Sequence, residues 1–222
     1  MRCRVCRMRK YLLFDLDGTL TDPSIGITNS VMYALRKFGI EESDRTKLYS
    51  FIGPPLYDSF RAVYGMSHDD ANLAVAYYRE YFAPTGLYEN TVYDGVCDML
   101  DSLKKSGKSL VLATSKPERF ANEILRHFDL LKYFERVYGA TMDEKRNKKD
   151  DIIAYAIGDM GIDAKEAVMI GDRCYDVDGG KKHGLMTVGV LYGFGDEREL
   201  TDARADHIAA NIKELKKILE NI

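Results

Sequence analysis

The sequence predicts an α/β fold: a parallel sheet with helices on both faces, carrying a small helical cap domain inserted after the first strand. Three observations predict it. Short apolar runs alternate with helical patterns through residues 92–222. Strands that alternate with helices connect as parallel neighbours, buried on both faces. One more apolar run precedes residue 20, while residues 21–91 show helical patterns and no good strand. The expected division is therefore residues 1–20 and 92–222 for the sheet domain and 21–91 for the cap.

Each element follows from a local signal. "KYLLFD" reads as a short buried strand ending in a turn. Ile27, Val31, Leu35 and Phe38 then recur at helical spacing, and Gly39 stops that helix. Gly53-Pro54-Pro55 breaks the next pattern and predicts a loop. Ser67, with Asp70 three residues on, resembles a capping box for the helix "DDANLAVAYYREYF". "CDMLDSLKKSG" is a helix stopped by Gly107, "KSLVLATS" a strand, and "KPERFANEILRHF" a helix with Pro117 in its first turn. "RVYGA", "AVMIGD" and "MTVGV" read as strands separated by the helices "KDDIIAYAIGDMG" and "DVDGGKKHG". "NIKELKKILENI" closes the chain as an amphipathic helix.

Composition narrows the function. A net charge of -3 argues against a nucleic-acid or membrane-surface protein, which would carry a concentrated basic face. No apolar run approaches the ~20 residues needed to span a bilayer, and no secretory signal is visible. Cys3, Cys6, Cys97 and Cys174 are scattered, which suits a reducing cytoplasm. Cys3-x-x-Cys6 has metal or redox spacing but no second pair or His pair, so the terminus that carries it reads as a disordered leader. His68, His127, His183 and His207 show no metal spacing. A monomer or homodimer acting on a small molecule is expected.

Three predicted strands end in polar groups, and ligands bind beyond the carboxyl ends of such strands. The first ends in Asp15-Leu16-Asp17, whose side chains, two apart, converge on one side. Paired carboxylates stay ionised beside a positive partner, and Mg²⁺ held by one or two carboxylates plus phosphate and water supplies one. Gly18 permits a sharp turn and a close approach to ligand. The second end, Thr114-Ser115-Lys116, offers a hydroxyl and a backbone N–H at a strand-to-helix junction, a natural phosphate position. The third, Gly171-Asp172-Arg173, supplies Asp172 to complete a metal site. Asp176, about one helical turn on, would orient a lysine or a metal-bound water.

These motifs, "DLDGTLTD" at 15–22, "LATSK" at 112–116, a lysine near "KKDDI" and "GDRCYD" at 171–176, appear in one order. In that order and spacing the chain resembles the haloacid dehalogenase-like (HAD) hydrolase superfamily, which has a Rossmann-like core. "YALRKFGI" and "FIGPPL" add a likeness to its phosphoglycolate phosphatase-like subfamily. The resemblance implies that Asp15 attacks phosphorus to form an aspartyl-phosphate and that Asp17 is general acid, then base. It implies Mg²⁺ on a carboxylate oxygen of Asp15, the backbone carbonyl of Asp17, and Asp172. Thr114 and a lysine would clamp the phosphate, with Ser115 beside them. Lys148 and Lys149 both qualify as that lysine, and the motif's spacing fits Lys149 better. Lys116 is expected to face solvent or the cap rather than the phosphoryl group, and Arg173 to pair with a local acid. "FIGPPL" is the best candidate for a cap loop over the site, with residues 21–24 and 85–93 as hinges.

The implied activity is a Mg²⁺-dependent phosphatase for a small phosphomonoester of the phosphoglycolate class. A 5′-nucleotide or a sugar phosphate stands close behind. A phosphosugar mutase would share the aspartyl-phosphate but return the phosphoryl group to another hydroxyl. A dehalogenase would not need Asp17 or a metal. A non-enzymatic binding protein would be expected to lack one of Asp15, Asp17, Thr114 and Asp172, all of which are present.

Overall fold

The computed structural model describes residues 9–143 and 145–222, so the expected leader with Cys3 and Cys6 lies outside it. In chain order, β1 (Tyr11–Phe14) and β2 (Thr21–Asp22) precede three helices, α1 (Ser24–Lys37), α2 (Leu56–Tyr64) and α3 (His68–Tyr81). β3 (Thr91–Val92) follows, then α4 (Val96–Lys105), β4 (Ser109–Pro117), α5 (Glu118–His127) and β5 (Arg136–Ala140). The chain continues through α6 (Lys149–Met160), β6 (Ala167–Gly171), α7 (Cys174–Lys182) and β7 (Met186–Val190). It ends with α8 (Glu197–Asp202), β8 (His207–Ala209) and α9 (Ile212–Glu220).

Six strands form one sheet in the order β5-β4-β1-β6-β7-β8, and every pairing is parallel. The chain moves outward from β1 through β4 to β5, then crosses back to lay β6, β7 and β8 on the other side. That reversal opens a crevice beyond the carboxyl ends of β4, β1 and β6. These three neighbouring strands carry the three polar ends.

Period-two alternation explains why the sheet is buried on both faces. Leu12 and Phe14 point into one apolar layer with Met99, Leu103, Ile124 and Leu215. Leu13 points into the other with Val111, Met169, Ile152 and Ile153. All three β1 side chains are fully buried. Truncating such a side chain to alanine costs about 2–5 kcal/mol, so β1 is a rigid base for the acids that follow it.

The α1–α3 helices lie between β2 and β3, which pair antiparallel as a two-stranded ribbon. That ribbon runs through both expected hinge segments and was not anticipated, because two-residue strands carry no readable period. β8, three residues long, and the acidic six-residue α8 were missed for the same reason. Ser67 does cap α3, accepting from the Asp70 N–H at 3.1 Å. α5 begins at Glu118, with Pro117 at the end of β4 rather than in the helical turn. No helix among the described residues is long and apolar enough to cross a membrane.

Candidate active site

The turn after β1 is set by one carbonyl and one glycine. The Leu16 carbonyl accepts from the N–H groups of Thr19, Leu20 and Thr21 at 2.9–3.2 Å. Gly18 adopts φ +81°, and a Cβ there would lie 2.2 Å from Oδ2 of Asp172. Only glycine satisfies both the left-handed backbone and this approach. The turn therefore brings the β1 acids against the end of β6.

Asp172 is held from two sides. The Phe194 N–H donates to its Oδ2 at 2.8 Å, and the Thr19 hydroxyl lies 3.5 Å from its Oδ1. One oxygen from each of Asp15, Asp172 and Asp176 gathers within 4.8 Å, and all three residues are buried. Asp176 sits in the first turn of α7, where its Oδ2 accepts from the Arg173 N–H at 3.2 Å. The Asp17 carboxylate lies outside this trio, and its Oδ1 is buried without a hydrogen-bond partner.

Two lysines answer the acids. Lys149, at the start of α6, places Nζ 2.7 Å from Oδ1 of Asp15 and 2.8 Å from Oδ1 of Asp176, and donates to the Ala113 carbonyl at 3.1 Å. Lys148 is exposed, so Lys149 is the lysine that the fold buries at the centre. Lys116 turns away from solvent and, as the second half of its expectation had it, lies toward the stretch expected as the cap, against Phe82; its pairing with Asp17 was not expected. It is buried, its Nζ lies 2.5 Å from Oδ2 of Asp17, and it stands 4.8 Å over the Phe82 ring. The pairing of β4 with β5 shifts between Ala113 and Pro117, so Thr114–Lys116 leave the regular ladder. Thr114 is buried, and its Oγ1 accepts from the Lys116 N–H at 3.3 Å. Ser115 lines the adjoining cavity. Arg173 pairs with Glu199 at 2.9 Å, as expected of a local acid.

Burial dominates the ionisation of this cluster. Loss of solvation raises Asp172 well above the carboxylate range, and repulsion from Asp176 and Asp15 adds to it. It also raises Asp17, with Lys116 pulling the other way. Asp176 is pushed up to about 6 by burial despite Lys149. Burial opposes charge on Lys149, but Asp15 and Asp176 outweigh it and lift the ammonium to about 12. Three buried carboxylates and the half-buried Asp17 thus face two ammonium groups. A divalent cation would cancel the remaining negative charge, and an all-oxygen donor set suits Mg²⁺. The residues fit such an ion on charge and donor chemistry.

A cavity of about 100 Å³ opens from Asp15, Asp17 and Thr114 toward the helices between β2 and β3. Its walls include Ile27, Phe51, Tyr78, Phe82 and Phe120, and Gly53, Pro54 and Pro55 of "FIGPPL" lie along it. The aromatic wall escaped the sequence reading. Those rings sit on separate elements at ordinary helical spacing, indistinguishable from core residues until folded.

A family model described as "Haloacid dehalogenase-like hydrolase" matches residues 12–190. The chain belongs to this family. A 5′-nucleotidase of Pseudomonas aeruginosa is 45% identical over 95% of each chain. The tyrosine-protein kinase PtkA of Mycobacterium tuberculosis is 37% identical, over 95% of this chain and 72% of its own length. The crystal structure of a predicted phosphatase from Clostridium acetobutylicum superposes with a TM-score of 0.95 at 46% identity, covering 97% of this chain and all of that one. Family and relatives together support phosphatase-type hydrolysis, and HAD phosphatases generally use Mg²⁺.

Proposed function

We propose that this chain is a Mg²⁺-dependent phosphomonoesterase that works through an aspartyl-phosphate on Asp15. Asp15 is the nucleophile: its carboxylate oxygen bonds to phosphorus as the bond to the leaving oxygen breaks. Asp17 delivers a proton to that oxygen, then takes one from the water that cleaves the acyl phosphate. Lys149 and Thr114 hold phosphate oxygens, Ser115 stands beside them, and Asp176 keeps Lys149 in place. Asp15, the backbone carbonyl of Asp17, and Asp172 would hold Mg²⁺, which when bound lets an anionic carboxylate approach an anionic phosphate.

The observation that carries this reading is the meeting of the four acids and two lysines at the ends of β4, β1 and β6. The aromatic chamber next to them favours a 5′-nucleotide over a phosphoglycolate-like substrate. Apolar rings reward burial of a flat base. The nucleotidase relative points the same way. A panel of phosphorylated metabolites, with Mg²⁺ or with chelator, tests this. Metal-dependent phosphate release, fastest from 5′-nucleotides, is expected. Isomerised sugar phosphate without release would replace it with a mutase.

A further inference from the structure

Between α1 and α2 the chain borders the cavity onto which Asp15, Asp17 and Thr114 open. Gly53, Pro54 and Pro55 border the aromatic chamber on one side and a second cavity of about 340 Å³ on the other. The second cavity is lined by Ser115, Asn147 and Lys149 among others, and the three loop residues line both cavities and form the partition between them. What fixes that partition decides how large a leaving group the chamber admits.

Arg173 reaches it from the sheet domain. Its Nη1 donates to the Ile52 carbonyl at 2.8 Å, while its Nε donates to Oε1 of Glu199 at 2.9 Å. Gly53 adopts φ +109°, and a Cβ there would lie 3.4 Å from Cγ of Arg173, so the loop lies flat against the arginine stem. The base of the arginine is immobilised. Its N–H donates to Asp176, and the next N–H, on Cys174, donates to Glu199 at 2.7 Å. A second link runs alongside, with Tyr49 packing edge-on against Phe194 at 5.6 Å. Arg173 and Phe194 both also touch the acid cluster, one as the chain neighbour of Asp172 and the other through its N–H on Asp172.

We propose that Arg173 is a positioning residue that latches the 52–55 loop over the centre and so sets selectivity for the leaving group. A guanidinium presents its donors as a rigid fork, so it holds Glu199 and Ile52 at once, and a lysine ammonium would not reproduce that geometry. The selectivity arm rests on the phosphatase reading above, and the loop-anchoring arm does not.

Two variants of the full chain, Arg173→Ala and Arg173→Lys, test the latch. Arg173→Lys keeps the charge beside Glu199 if Arg173→Ala folds poorly. Amide hydrogen exchange of residues 49–55 is expected to speed up by about tenfold or more in both, the loss of one charge-assisted hydrogen bond. With 5′-AMP, kcat/KM is expected to fall about tenfold through KM, while acetyl phosphate, which has no base to seat, stays within about threefold. Unchanged exchange at 49–55 in both variants would overturn the latch. An equal loss for both substrates, or a loss in kcat alone, would overturn its part in selectivity. If the wild type releases phosphate from neither substrate, the phosphatase reading fails, and the exchange measurement still decides the latch.

Discussion

Lys149 and Asp15 form a buried ion pair with 2.7 Å between Nζ and Oδ1, joining the start of α6 to the end of β1. Asp176 shares the same ammonium at 2.8 Å. Lys149→Met would leave both carboxylates facing each other without their cation. The metal-free variant should lose about 3–5 kcal/mol of stability in urea titrations. Its turnover should fall by about 10²–10³-fold, the typical cost of removing a donor that stabilises transition-state charge. Near-wild-type values for both would remove Lys149 from its proposed role.

Asp15→Asn keeps the shape of the side chain and discards its nucleophilic charge. Phosphate release should disappear while circular dichroism and the thermal transition remain those of a folded protein. Residual activity close to wild type would refute Asp15 as nucleophile.

Asp172→Ala tests the metal site. Wild-type activity should vanish with chelator and return with Mg²⁺. The variant should need at least about tenfold more Mg²⁺ for half-maximal rate, consistent with losing a ligand-shell carboxylate. Wild-type turnover that ignores chelator would count against a metal-dependent centre.

The Asp176 carboxyl rises from 3.8 to about 6 on folding, because burial outweighs Lys149. A raised carboxyl pKa means that the folded chain holds the proton longer than the unfolded chain. Its stabilising contribution is complete below about pH 4 and is lost as pH climbs through 6. Metal-free wild type should therefore lose stability relative to Asp176→Asn across that window. Denaturation curves of both proteins at pH 4 and pH 7 give the difference, and a pH-independent difference would contradict the burial effect.

Gly18→Ala meets two obstacles, a φ of +81° and a Cβ 2.2 Å from Oδ2 of Asp172. Asp172 would have to move, so Mg²⁺ affinity should drop along with activity. Isothermal titration with Mg²⁺ measures this, and an unaltered binding curve would show that the close approach is not required.

Much of the centre was legible in the chain itself. Asp15 and Asp17 announce themselves as paired acids directly after an apolar strand, and Asp172 and Asp176 as acids beginning a helix after another. Gly18 marks the turn between them. Lys116 lies against Phe82 of the expected cap stretch, but its ion pair with Asp17 could not be read, because a shift in strand pairing is a property of two segments and leaves no trace in one. The ribbon of β2 and β3 stayed hidden because a two-residue strand has no period to read.

The sequence by itself determined the alternating α/β order, the helical stretch between β2 and β3, and the residue types at three strand ends. These are local matters of apolar period, turn chemistry and side-chain type. Only the tertiary structure decided that β4, β1 and β6 lie side by side, that Lys149 rather than Lys148 is buried among acids, and that Arg173 reaches Ile52. Those relations join residues far apart in the chain. Packing and the cost of burying unpaired charge select them, and neither acts until the segments meet.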